Sequence, residues 1–124
     1  MTIVTGGAYQ GKLDFAMDIY PDISWVDGNT ASEEELLTAE GIKDLHLFIR
    51  RLVKEERDVL LFVDTLIWKN PNVVITCDEI GSGIVPMDKT DRTYREMCGR
   101  AMQKLCACSF EVYRLVCGIP TRIK

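Results

Sequence analysis

Between residues 6 and 12 the chain reads Gly6-Gly7-Ala8-Tyr9-Gln10-Gly11-Lys12, the spacing Gly-x-x-x-x-Gly-Lys in which backbone amides wrap a phosphate and the lysine reaches its outer oxygens. A glycine pair alone would say little. Here the β-branched run Thr2-Ile3-Val4-Thr5 precedes it and reads as a strand, and the residues from Leu13 to Tyr20 follow with apolar positions at helical spacing. Strand, glycine loop and helix together form an anion site, because the helix N-terminus adds unpaired amides and positive potential. Gly6, Gly7, Ala8, Tyr9, Gln10, Gly11, Lys12 and Leu13 are therefore the expected nucleotide-phosphate segment, with Lys12 neutralising phosphate charge. The competing reading is an ordinary tight turn with a surface lysine. The motif departs from pattern at Leu13, where a serine or threonine would normally offer magnesium a hydroxyl.

A strand–loop–helix unit needs further strands beside it, and the rest of the chain supplies alternating signals. Ile23 to Val26 reads as a second short strand, closed by the turn Asp27-Gly28-Asn29. Ser32 and Glu35 have capping-box spacing, and Leu36, Leu37, Leu45, Phe48, Ile49 and Leu52 keep one apolar face, which predicts a long helix to about Glu56 with Gly41 as a possible break. The continuous run Val59 to Val63, ending in Asp64, is expected to be a central strand of a parallel sheet, and Val73 to Thr76, leading to Cys77-Asp78-Glu79, another. Ile80 to Pro86 is glycine-rich and reads as a loop. A long amphipathic helix from about Asp91 to Phe110 and a strand from Val112 to Cys117 complete the pattern. This predicts a single α/β domain over residues 1–124, a P-loop, RecA-like architecture with a mostly parallel sheet flanked by helices.

The net charge of −4 with dispersed basic residues lacks the basic patch of a nucleic-acid binder, so no nucleic-acid partner is expected. Apolar runs fall well short of the roughly 20 residues that span a bilayer, so a soluble, cytoplasmic protein is expected. Five cysteines, an odd number lying mostly in predicted core segments, read as free thiols rather than a disulfide or zinc framework.

In open α/β sheets ligands bind beyond the carboxyl ends of the strands. Asp64, Asp78 and Glu79 all fall at predicted strand ends, so one is expected to hold magnesium and another to orient or deprotonate an attacking hydroxyl. The alternative is that one or two simply cap turns. Lys12, Asp64 and Glu79 are thus the candidate catalytic residues, and Asp64, Asp78 and Glu79 the candidate metal ligands, with Mg2+ and ATP or GTP as the expected cofactors.

Two motifs taken together are more specific. Val4-Thr5-Gly6-Gly7 to Gly11-Lys12, with Asp78-Glu79-Ile80-Gly81-Ser82-Gly83-Ile84-Val85-Pro86, resembles the bifunctional adenosylcobinamide kinase / adenosylcobinamide-phosphate guanylyltransferase family. The likeness continues through Asp91 to Glu96, Gly99-Arg100, Gln103, Glu111-Val112-Tyr113 and Gly118-Ile119-Pro120 to Lys124, and Asp64 to Trp68 is similar to the family's strand-end aspartate segment. The resemblance implies phosphorylation of the aminopropanol hydroxyl of a corrinoid, guanylyl transfer through a histidine, and a homotrimer. It further implies nucleotide phosphates at Gly6 to Lys12, with Asp64 and Glu79 near metal and substrate.

The segment between the first helix and Asp64 is shorter than the family's, and Asp78 stands where asparagine is usual. His46 is the sole histidine. It is read as a structural histidine within an amphipathic helix, since nothing near it in sequence orients its second nitrogen. The expectation is a cobinamide-type kinase without guanylyl transfer; the alternative is a nucleotide-binding regulatory module without turnover.

Overall fold

The structure, a computed structural model, describes residues 1–80 and 88–124. In chain order its elements are β1 (Thr2–Gly6), α1 (Lys12–Ile19), β2 (Trp25–Asp27), α2 (Glu33–Thr38), β3 (Gly41–Lys43), α3 (Leu45–Lys54), α4 (Val59–Lys69), β4 (Val74–Asp78), α5 (Lys89–Cys108), β5 (Glu111–Val116) and β6 (Ile119–Arg122). Among the described residues the six strands form one sheet in the order β2-β3-β4-β1-β5-β6, parallel except for the last pair. This is the mostly parallel α/β sheet the sequence predicts. The glycine-rich segment from Gly81 to Pro86 lies outside the described residues.

Burial of the central strands on both faces holds these layers together. All five residues of β1 are buried, and alternate side chains serve different cores. Ile3 joins Ile42, Ile75 and Val112 against α3, α4 and α5, whereas Val4 joins Val74, Leu115 and Ala16 beneath α1. Each such valine, leucine or isoleucine side chain contributes about 1.5–3 kcal/mol when fully buried. With α1 on one face and α5 on the other, the connections leaving β1 and β4 run over opposite sides, which opens a crevice beyond their carboxyl ends.

Two predicted elements are overturned. Val59 to Val63 is the start of helix α4, not a strand. Asp58 caps it, its carboxylate accepting from the Leu61 amide at 3.0 Å. Val59, Phe62, Val63 and Leu66 are buried at helical spacing, while Leu61 and Trp68 are exposed. A five-residue apolar run is compatible with either element, and the cap, together with helical spacing continued to Leu66, decides for the helix.

The long helix expected from Ser32 to Glu56 is instead α2, β3 and α3. The Ser32–Glu35 capping box forms as predicted, but Gly41 opens a three-residue strand between β2 and β4. A Cβ at Gly41 would stand 2.6 Å from the Trp25 ring, so the strand can lie this close to β2 only with glycine there. Arg51 on α3 pins the preceding turn by donating to the carbonyls of Gly28 (3.0 Å) and Ala31 (2.7 Å).

If Asp58 caps a helix, Asp58→Ala should lower unfolding stability by about 1 kcal/mol in chemical denaturation; an unchanged midpoint would contradict the helical assignment of α4.

Candidate nucleotide site

β1 delivers Gly6 to the crevice, and its parallel pairing with β4 sets Gly6 opposite Asp78. The loop from Gly7 to Gly11 then turns into α1. Gly11 occupies the N-cap position with φ 83°, left-handed backbone that favours glycine, and no side chain caps the helix there. The first amides of α1 therefore remain available to an anion. The loop is braced from the β5–β6 turn, where the Cys117 amide donates to Gln10 Oε1.

Lys12, the first residue of α1, is 6% exposed. Its Nζ donates to the Gly7 carbonyl at 2.7 Å and lies 2.7 Å from Asp78 Oδ1. A lysine this deeply buried needs such partners, because an unpaired charge away from water is costly. Asp78, at the end of β4, also meets His46: its amide donates to His46 Nδ1 at 3.0 Å, and its Oδ2 lies 3.4 Å from Nε2. Asp44 completes the cluster; donor atoms of Asp44, His46 and Asp78 lie within 4.8 Å of one another. The Asp44 amide is anchored to Thr76 Oγ1 on β4 at 3.0 Å. Burial pulls the His46 pKa below the ordinary histidine range, against the opposing pull of Asp78 and Asp44.

A cavity of about 340 Å³ opens over this arrangement, lined by the residues from Ala8 to Asp14 together with Asp44 and Asp78. Leu13 is part of that lining and offers no oxygen. A second cavity of about 380 Å³ adjoins it, sharing Asp78 and bounded by Glu79 and by Cys98, Met102 and Cys106 of α5.

The structure brings together Gly6 to Leu13 and Asp78 as the sequence suggests. Glu79 lies beside them, but its carboxylate is engaged by Arg114 of β5 in a two-pronged ion pair at 2.6 and 3.1 Å. Asp64 does not join the site. It sits exposed on α4, paired with Lys104 of α5 at 2.6 Å, because the run before it is helical and never reaches a strand end. The reading of His46 changes too: it is buried, but its two nitrogens are oriented by Asp78, a partner 32 residues away brought close by β4. Asp44 was missed because residues 41–43 read as helix; the signal was Gly41, an apolar residue and an acid in quick succession. All five cysteines are free. Among the described residues no helix is long and apolar enough to cross a membrane.

The family model described as "Cobinamide kinase / cobinamide phosphate guanyltransferase" (CobU) matches residues 25–123. The bifunctional adenosylcobalamin biosynthesis proteins CobU of Salmonella typhimurium and of Escherichia coli are each 42% identical over 52 residues. That stretch covers 42% of this chain and 29% of each relative, so the alignment spans less than a third of the relatives' length. The Gly6–Lys12 loop precedes the family match and stands on its own geometry.

Since folding lowers the His46 pKa, the unfolded chain takes up this proton first. The contribution of His46 is complete above its unfolded pKa of about 6.5 and is lost as pH falls below it. Stability should therefore drop as pH falls through that unfolded value, with a slope from this group of at most about 1.4 kcal/mol per pH unit, and His46→Gln should flatten the profile measured by urea denaturation.

Proposed function

This chain belongs to the cobinamide kinase / cobinamide phosphate guanyltransferase family, and from that premise we propose that it binds ATP or GTP on the Gly6–Lys12 loop and phosphorylates the aminopropanol hydroxyl of a cobinamide-type corrinoid, without guanylyl transfer. The observation that carries this reading is the buried Lys12 at the start of α1, held 2.7 Å from Asp78 under a loop whose helix amides are uncapped.

In this reading the terminal phosphate of the nucleotide draws Lys12 away from Asp78. The exchange leaves Asp78 Oδ1 free to take the proton of the attacking hydroxyl, while the new oxygen–phosphorus bond forms and the bond to the departing diphosphate breaks. Glu79, fixed by Arg114 at the second cavity, is a positioning residue for the acceptor. The apolar second cavity, floored by Cys98 and Met102, would receive the acceptor's hydrocarbon portion.

The donor set fits a magnesium ion: Asp44 and Asp78 are carboxylates at the nucleotide cavity, and magnesium prefers oxygen ligands shared with phosphates and water. Bound there it would neutralise charge on the transferring phosphoryl group. The same proposal includes a homotrimer working in the cytoplasm, with the exposed Phe110, Val116, Ile119 and Ile123 around the β5–β6 hairpin as surface that contacts between copies would cover.

Leu13 supports a second reading, a module that binds nucleotide without turnover, because it lines the cavity where a metal-binding hydroxyl would stand. Calorimetric titration and turnover separate the two. Lys12→Ala should weaken GTP or ATP binding by at least about tenfold, and Asp78→Asn should lower phosphorylation of cobinamide by about 100-fold. Binding by the unaltered protein without any phosphorylated corrinoid would favour the module, and undiminished binding by Lys12→Ala would overturn both readings.

A further inference from the structure

The two ring nitrogens of His46 are not equivalent. The Asp78 backbone nitrogen is 3.0 Å from Nδ1 and donates its hydrogen there. A backbone amide can only donate, so Nδ1 must carry a lone pair. Turning the ring over would put a C–H against that amide and leave a donor without an acceptor. The need for this acceptor lies in the sheet. β3 ends at Lys43, and its last partner on β4 is Ile75, so no β3 carbonyl reaches Asp78. His46, on the first turn of α3, takes that carbonyl's place.

With Nδ1 unprotonated, the hydrogen of the neutral ring sits on Nε2, facing Asp78 Oδ2 at 3.4 Å. The opposite carboxylate oxygen is held by Lys12 at 2.7 Å. Asp78 is thus fixed from both sides.

We infer that His46 of this chain is locked as a hydrogen-bond donor that positions Asp78 against Lys12, and that it neither carries a nucleotide nor ligates a metal. Guanylylation would require a ring lone pair to form a bond to the α-phosphorus of GTP while the bond from that phosphorus to the pyrophosphate oxygen breaks. On Nε2 that pair belongs to the aromatic sextet. Freeing it requires either an imidazolate, whose formation needs a base far stronger than the carboxylate facing Nε2, or the other tautomer, whose Nδ1–H would meet the Asp78 amide head-on. The Nδ1 pair is itself engaged in the buried hydrogen bond. The same lock removes the imidazole from the Asp44–His46–Asp78 cluster as a metal ligand, leaving two carboxylates, a set suited to hard cations and not to zinc.

The inference deepens the proposed function, and its first test needs no nucleotide. The chain has one histidine, so the full-length protein labelled with 15N-histidine gives a single imidazole in long-range proton–nitrogen spectra. Near neutral pH the Nε2–H tautomer is expected; a predominant Nδ1–H form would overturn the lock. Intact-mass measurement after incubation with GTP and magnesium is expected to show no covalent GMP. An acid-labile, alkali-stable adduct absent from His46→Gln would overturn the inference. Gln can still offer Asp78 an N–H, so His46→Phe is expected to bind GTP about tenfold more weakly than His46→Gln, and equal affinities would remove the positioning role. If calorimetry finds no GTP binding at all, the proposed function fails while the tautomer measurement still decides the lock.

Discussion

The parallel register between β1 and β4, with Gly6 opposite Asp78, is the constraint from which the site follows. β1 hands the chain directly to the glycine loop, so the register fixes how far the loop stands from the acid at the end of β4. A slip of one residue would turn the Asp78 side chain to the other face of the sheet. The slip is opposed by burial, since Val74 and Ile75 of β4 serve separate cores and would exchange faces with it.

On that frame the Lys12–Asp78 pair is a device of position more than of stability. Desolvating two charges costs roughly what their attraction returns, so a buried pair is weak grounds for a stable fold. What it secures is a lysine held against the loop and the end of β4, its charge balanced. His46 and Asp44 come to the same point by a different route, through the short strand β3 and the start of α3. The abrupt end of β3 leaves a β4 amide for the imidazole to satisfy, and Thr76 holds the Asp44 backbone. The early end of this inner strand thus becomes part of the site.

The elements legible in the sequence were those whose local signals agree. β1, the loop and α1 carry β-branched, glycine and helical patterns in succession, and β4, α5 and β5 are similarly marked. Val59 to Val63 was misread because an apolar run too short to show its period is buried equally well in a helix. The stretch around Gly41 was misread because Leu36, Leu37, Leu45 and Phe48 face one core from two helices and so mimic one continuous helix. Asp64 failed as a site residue for the first of these reasons, and Asp44 was missed for the second.

The sequence by itself determined that this is a mostly parallel α/β chain with a strand–glycine loop–helix unit around residues 6–12, since those signals are local and each residue's neighbours along the chain suffice to read them. It also placed Asp78 at a strand end. Only the tertiary structure decided which acid faces Lys12, that Glu79 is bound to Arg114, and that His46 presents one nitrogen as an acceptor and the other as a donor. Those outcomes depend on partners 32 to 66 positions apart in the chain, and at such separations the sheet register and the packing of helices, rather than any local pattern, choose which groups meet.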